Sequence, residues 1–328
     1  MKFRTLRKLA VCSFFAVALF ASRQLSAQYL TLEGQTGGFL TPTAYVVYVD
    51  PGQKFSHPAI GYHFIDASKV IGDIQTFSIT EGFAGRAEAG YTRSVHTFGD
   101  SGSSTSLDLS QLWNSSGMNI VHGKVVAIKD GQFAPWMPGV AVGGLVRTGD
   151  HFVSGAIYKQ LTGTDKSYTN GDLYVVVTKT WLHPPFPFLV NFGWKATNAS
   201  IFGIGGQSTR FGGRLFGGLG IPLPIAHGIV AVPSAGFTQE PPTVKGLGPF
   251  TGVNIPLVAG KADLPTTIDY AVRVTQKDHP HFAFDIGVGQ VAGNIGAIPT
   301  GLPAGEPQSI PVNLEARHVI GMGLSYRY

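Results

Sequence analysis

Hydrophobic positions recur with period two along most of the chain. In FLVNFGWKA, Phe188, Val190, Phe192, Trp194 and Ala196 share one parity, and Leu189, Asn191, Gly193 and Lys195 share the other. HFAFDIGVG sets Phe282, Phe284, Ile286 and Val288 against Ala283, Asp285, Gly287 and Gly289. TIDYAVRV sets Ile268, Tyr270, Val272 and Val274 against Asp269, Ala271 and Arg273. Successive side chains of an extended strand point to opposite faces, so each run predicts a strand with one apolar face and one small or polar face. Further runs lie near 57–66, 71–80, 82–95, 116–129, 139–147, 171–182, 210–220 and 226–238, and the chain closes on the alternating VIGMGLSYRY. Together they give about twelve strands, in a range of about 10 to 14, because HFVSGAIYKQL reads either as a loop or as a strand pair.

The connections alternate in length. TEG near Glu81, DGQFAPWMP, HPPFP, PLPIA and QKDHP are short, and between them fall HTFGDSGSSTSLDLSQLWNSSG, 148–171, KATNASIFGIGGQS, 240–265 and AGNIGAIPTGLPAGEPQSIP. Short turns on one side and longer loops on the other are the pattern of an outer-membrane barrel. Charged residues are 13% of the chain, about half the usual share. After residue 27 no run approaches the roughly 18 apolar residues of a membrane helix. The fold class expected is all-β: a transmembrane antiparallel β-barrel in the bacterial outer membrane. Trp136, Trp181, Phe186 and Phe188, at the ends carrying the short turns, are expected to form an aromatic girdle.

The front of the chain changes the charge reading. MKFRTLRK, then LAVCSFFAVALFA, then SRQLSA read as a secretory signal peptide over residues 1–27. Of the chain's 24 Lys and Arg, five (Lys2, Arg4, Arg7, Lys8 and Arg23) lie there, which leaves 19 against 19 Asp and Glu. No basic run then remains to track phosphates, so nucleic acid is not an expected partner. The lone Cys12 falls inside the signal. The barrel is expected over 57–328, with 28–56 before it. Within that preceding stretch LEGQTGGFLTPTA, with Gly34, Gly37 and Gly38, is sterically thin. It reads as a lead-in on the periplasmic side, a partial plug inside the barrel, or an extra strand.

The last strand has apolar Ile320, Met322, Leu324, Tyr326 and Tyr328 on one parity, with Gly323 sixth from the end. This resembles the terminal signal read by the outer-membrane assembly machinery of Gram-negative bacteria, and implies that machinery and the membrane lipids as partners. In order along the chain, LEGQTGGFLTPTA, PGVAVGGLV, GDLYVVVTKTWL and LVNFGWKATNASIFGIGG resemble segments of a bacterial family of unknown function that looks like an outer-membrane barrel. The resemblance implies architecture and brings no reaction, ligand or site residue.

Candidate chemistry is confined to the lumen. With the apolar faces toward lipid, Arg86, Glu88, Lys124, Lys195, Arg210, Arg214, Asp269, Arg273 and Asp285 are expected to point inward, because charge on the lipid face costs roughly 2–4 kcal/mol near the midplane. Two readings stay open: a mildly anion-preferring pore, or a closed interior in which these groups pair across strands. The scattered histidines lack zinc spacing, and neither GIGGQS nor FGGRLFGGLG fits a phosphate loop, so no metal or cofactor is expected. A lipid hydrolase needs a Ser and a His meeting at the wall; Ser154 beside His151 carries no nucleophile elbow. The expected function is a passive channel or uptake pore for small polar or anionic solutes. A plugged structural or binding barrel is the rival, and a lipid-active enzyme comes third. The oligomeric state is not legible.

Overall fold

The computed structural model describes residues 29–66, 73–97, 116–149, 169–181, 187–199, 207–239, 241, 263–276, 281–299, 309–313 and 318–328. The expected signal peptide, HFVSGAIYKQL with His151 and Ser154, and Phe186 fall outside them. The strands in chain order are β1 (Ala59–Asp66), β2 (Asp73–Phe83), β3 (Ala87–Thr97), β4 (Ser116–Ile128), β5 (Gly139–Gly149), β6 (Thr169–Trp181), β7 (Phe188–Ala199), β8 (Gln207–Gly220), β9 (Leu223–Pro224), β10 (Ile229–Gln239), β11 (Asp263–Gln276), β12 (Phe282–Pro299), β13 (Ser309–Asn313) and β14 (His318–Arg327).

Twelve of them make one antiparallel wall. It runs β1 to β8, then β10, β11, β12 and β14, and β14 pairs back onto β1 in a register from Ala59 opposite Arg327 to Asp66 opposite Ile320. Two-residue β9 lies beside β10, and β13 pairs with the C-terminal part of β12. Closure leaves no strand of this ring, among the described residues, without a partner on either side, a condition that hydrocarbon imposes on any strand-built wall.

Closure also fixes two faces. On β7, Phe188, Val190, Phe192 and Trp194 point out and are exposed, whereas Asn191, Gly193, Lys195 and Thr197 point in and are buried. β14 repeats this, with Ile320, Met322, Leu324 and Tyr326 outward and Gly321, Gly323, Ser325 and Arg327 inward. Phe77, Val121, Val142, Val175, Phe211, Tyr270 and Ile286 extend the outward belt around the wall. At the end holding both Ala59 and Arg327, Trp181 stacks on Phe188 with centroids 5.9 Å apart, Tyr326 meets Tyr328 at 5.1 Å, and Trp136 is exposed. An edgeless antiparallel wall with an apolar belt and an aromatic rim is the architecture of a barrel in the bacterial outer membrane.

Three local features differ from the sequence expectation. The turn expected at TEG lies three residues later, at Ala84 (φ 50°) and Gly85 (φ 59°), and the Arg86 amide donates to the Phe83 carbonyl at 3.0 Å. Two left-handed central residues make the hairpin turn that suits strand twist. Gly82 therefore stays in β2, facing inward, where a Cβ would overlap the Val47 carbonyl. Arg86 is displaced from the expected lumen position onto an exposed turn, where its guanidinium donates to the Val126 and Ala127 carbonyls and to Gln132. The second difference is that β7 runs on past Ala196 through Thr197, Asn198 and Ala199. The third is that β12 runs on through AGNIGAIP, paired with β13 from Asn294 opposite Asn313 to Pro299 opposite Ser309. Among the described residues β13 pairs on one side only, and an edge strand tolerates its Pro311.

β14 closes the ring, so losses at its end bear on closure. Deleting Tyr328 is expected to lower the amount of folded barrel in the membrane while leaving secretion intact, read as the heat-modifiable band on unboiled gels. Normal heat-modifiable mobility of the truncated chain would count against this.

Candidate functional site

Residues 29–47 run inside the wall, and 48–55, half-buried or exposed, lead from them toward β1. Nearly every residue from Tyr29 to Val47 is buried, polar ones included: Thr31, Glu33, Gln35, Thr36, Thr41 and Thr43. This inner segment first folds on itself. The Thr31 amide donates to the Gln35 carbonyl at 2.7 Å, Leu32 to Phe39 at 3.0 Å, Gly38 to Thr41 at 2.9 Å and Thr43 to Thr36 at 3.1 Å. Gly34 sits at φ 85°, which an L side chain rarely adopts, and a Cβ there would also strike Thr92 of β3. The glycine allows the tight turn and the close approach together.

Polar contacts then fasten the segment to the wall almost all the way round. The Leu30 amide donates to Ser325 of β14 at 3.5 Å, Thr80 of β2 donates to the Gly34 carbonyl at 2.6 Å, and Thr92 of β3 to the Glu33 carbonyl at 3.0 Å. The Ala44 amide donates to Thr178 of β6 at 2.8 Å, and Asn191 of β7 donates to the Pro42 carbonyl at 3.0 Å. Arg273 of β11 reaches the Gly37 carbonyl at 2.9 Å. Near the rim the Tyr45 hydroxyl donates to Asp130 at 2.8 Å and meets Thr180 at 2.5 Å. Burial above all, with Asp130 beside it, pushes that hydroxyl above its ordinary range, so it stays protonated and remains a donor.

Three charged clusters lie at this contact. Glu88 and Lys124 are direct cross-strand partners on β3 and β4, 2.9 Å apart and both fully buried. Glu88 also accepts from the Thr36 hydroxyl (2.6 Å) and the Val47 amide (3.1 Å), and Lys124 donates to the Thr36 carbonyl at 2.9 Å. Arg147 of β5 holds Asp172 of β6 at 2.8 Å and Glu33 of the inner segment at 2.5 Å, with Asn170 accepting at 3.2 Å. Arg273 and Asp285, opposite each other on β11 and β12, pair through two contacts of 2.7 and 2.9 Å, and the guanidinium lies 4.3 Å over the Tyr29 ring.

The inward residues expected from sequence therefore separate into groups. Glu88, Lys124, Lys195, Asp269, Arg273 and Asp285 are buried on the inner face, and Arg214, half-buried, lies opposite Lys195 in register. Arg86 is on the turn described above. The side chain of Arg210 lies outside what is described. Sequence reasoning missed Arg147 and Asp172, although the alternation carried to the ends of GVAVGGLVRTG and GDLYVVVT puts both inward. It also missed Glu33, for which no periodic signal exists. A dry cluster of Ala44, Val46, Val126, Ala141, Tyr174, Val176 and Phe216 was missed as well. Its signal was GKVVAI and YVVV, where both parities are apolar.

Arg147→Met would leave Glu33 and Asp172 as buried carboxylates without their cation and is expected to destabilise the barrel by about 3–5 kcal/mol. Glu33→Gln keeps the Arg147–Asp172 pair and an acceptor for the guanidinium, so it is expected to cost much less. Urea titration of the barrel in vesicles, read by heat-modifiable mobility, measures both; equal costs would contradict the central role of Arg147.

No family model matches the chain, and no curated protein matches it. Among solved structures, the chain is similar to the KdgM porin (TM-score 0.44, 10% identity, 82% of this chain and 99% of that one). It is similar also to the NanC porin (0.42, 10%, 83% and 100%) and to the β-domain of the Bordetella autotransporter Brka (0.36, 12%, 84% and 100%). Likenesses at this level carry no argument about solute or mechanism.

Proposed function

We propose that this protein is an outer-membrane channel for small polar solutes whose lumen is restricted by its own residues 29–56. The observation that supports this best is how the inner segment is held. Its wall contacts are mainly hydrogen bonds among hydroxyls, amides and carboxylates, with apolar clusters at Ala44 and Val46 and at Leu30 and Val47. The wall's own charges pair within the wall: Lys124 with Glu88, Arg147 with Asp172, and Arg273 with Asp285. Without the segment the lumen would still be lined by polar side chains and these three ion pairs, a lining compatible with water.

Selectivity follows from the same face. On the wall, Lys124, Arg147, Lys195, Arg214, Arg273 and Arg327 stand against Glu88, Asp172, Asp269 and Asp285, with Glu33 added from the inner segment, so any preference is mild. It falls to anions because the wall's inward bases outnumber its acids, Lys195 and Arg214 among them in register across β7 and β8.

In planar bilayers the chain with residues 29–56 present is expected to give small or rare conductance steps, and the chain lacking them large, frequent ones. Under a salt gradient the deleted form should show weak anion preference, which Arg214→Gln shifts toward cations. A deleted barrel that folds in the membrane but passes no current would overturn the channel reading in favour of a structural or binding barrel.

A further inference from the structure

Beside the inner segment, on the side of β7, β8, β10 and β11, the wall and the segment part to leave a cavity of about 90 Å³. Thr41 and Thr43 line it from the segment and Asn191, Ser234, Asp269 and Ala271 from the wall, and the ion-paired Arg273 and Asp285 border it. The wall is hollow here because of what stands in register across it. Asn191 of β7 is opposite Gly218 of β8, Gly218 opposite Gly236 of β10, Gly236 opposite Asp269 of β11, and Asp269 opposite Gly289 of β12. Two glycines thus separate Asn191 from Asp269, over roughly 14 Å at the usual interstrand spacing. A third glycine lies beyond the carboxylate, so both of its strand neighbours are bare.

Asp269 is 4% exposed, and its Oδ1 has no hydrogen-bond partner. The base four residues along the same face, Arg273, is committed elsewhere: twice to Asp285, once to the Gly37 carbonyl, and over the ring of Tyr29. At the other end of the hollow, the Asn191 amide nitrogen is committed to the inner segment, while a Cβ on Gly218 would lie 2.9 Å from its carbonyl oxygen. Both polar ends therefore present acceptors. A buried carboxylate without partner or counter-charge is costly, and a ligand supplying both would find the site already shaped. Among the described residues no three His, Cys, Asp or Glu stand together to hold a metal ion, which leaves an organic cation as the matching chemistry.

We propose that this cavity binds a small ammonium-bearing solute, with the Asp269 carboxylate as its counter-ion. The site depends on the barrel and the inner segment, not on conduction, so a titration without current tests it separately from the channel reading. The probe is ethanolammonium, titrated calorimetrically into the full chain in detergent, with acetate and glucose as comparators. Saturable binding of ethanolammonium alone is expected, weakened at least about tenfold by Asp269→Asn. Thr43→Phe, which fills the cavity from the inner segment and leaves the wall and its carboxylate unaltered, is expected to abolish binding; it decides the matter if the Asp269 variant fails to fold. Absence of saturable binding to the unaltered chain, unchanged affinity in either folded variant, or glucose binding as tightly as ethanolammonium would overturn the proposal.

Discussion

A charged side chain in a lipid-embedded wall has one tolerable direction, inward, and once there it needs a partner, because an unpaired buried charge costs several kcal/mol. This constraint organises the interior. Glu88 meets Lys124 and Arg273 meets Asp285 as direct cross-strand neighbours, so each pair holds only if its two strands keep one register. A slip of one residue by either strand would turn its own member out to lipid and leave the other inside without its counter-charge. Arg147 extends the rule from the wall to what lies within it, since its guanidinium binds one carboxylate from β6 and another from the inner segment. Buried pairs of this kind add little net stability. Their effect is to specify which strand faces which, and where Glu33 must sit.

Outside these pairs the interior is graded from wet to dry. Toward β4, β5, β6 and β8, the edge-on contact of Tyr174 with Phe216 at 6.1 Å and the small side chains of Ala141 and Val176 form an apolar floor for Ala44 and Val46. Toward β1 and β14 the surroundings become mixed, with Leu30 and Phe39 close to His63, Gly61 and Gly321. Glycines mark where backbone or rings approach the inner face. A Cβ on Gly193 would overlap Phe216, and one on Gly323 would lie 2.5 Å from the His63 ring.

The strands were legible in the sequence because period two is a one-dimensional signal, and FLVNFGWKA or VIGMGLSYRY carries it without reference to any other segment. Turn placement was less so. TEG offers a plausible break, but the requirement that decides the matter, room for the Val47 carbonyl against Gly82, comes from a segment more than thirty residues earlier. Moving that turn also moved Arg86 out of the lumen, although its parity matched that of Glu88. Arg147 and Asp172 could have been read by continuing the alternation to the ends of their strands. Glu33 could not, because its place depends on a base 114 residues away, and neither could the apposition of Gly218, Gly236 and Asp269, which exists only once three strands are in register.

The Leu30 amide and the Ser325 hydroxyl, 295 residues apart, touch where β14 seals against β1. The seam is thus built partly on the inner segment, which contacts strands on both sides of it as well as those opposite. Strand number and stagger fix the mean diameter of a twelve-stranded ring, and its shape in section still needs a support. Here a mandrel of early residues supplies one: Gly34 lies against Ser78 and Thr92, Thr36 against Glu88 and Lys124, and Glu33 against Arg147. The last strand therefore closes around a core that the first part of the chain has provided, and circumference and contents are determined together.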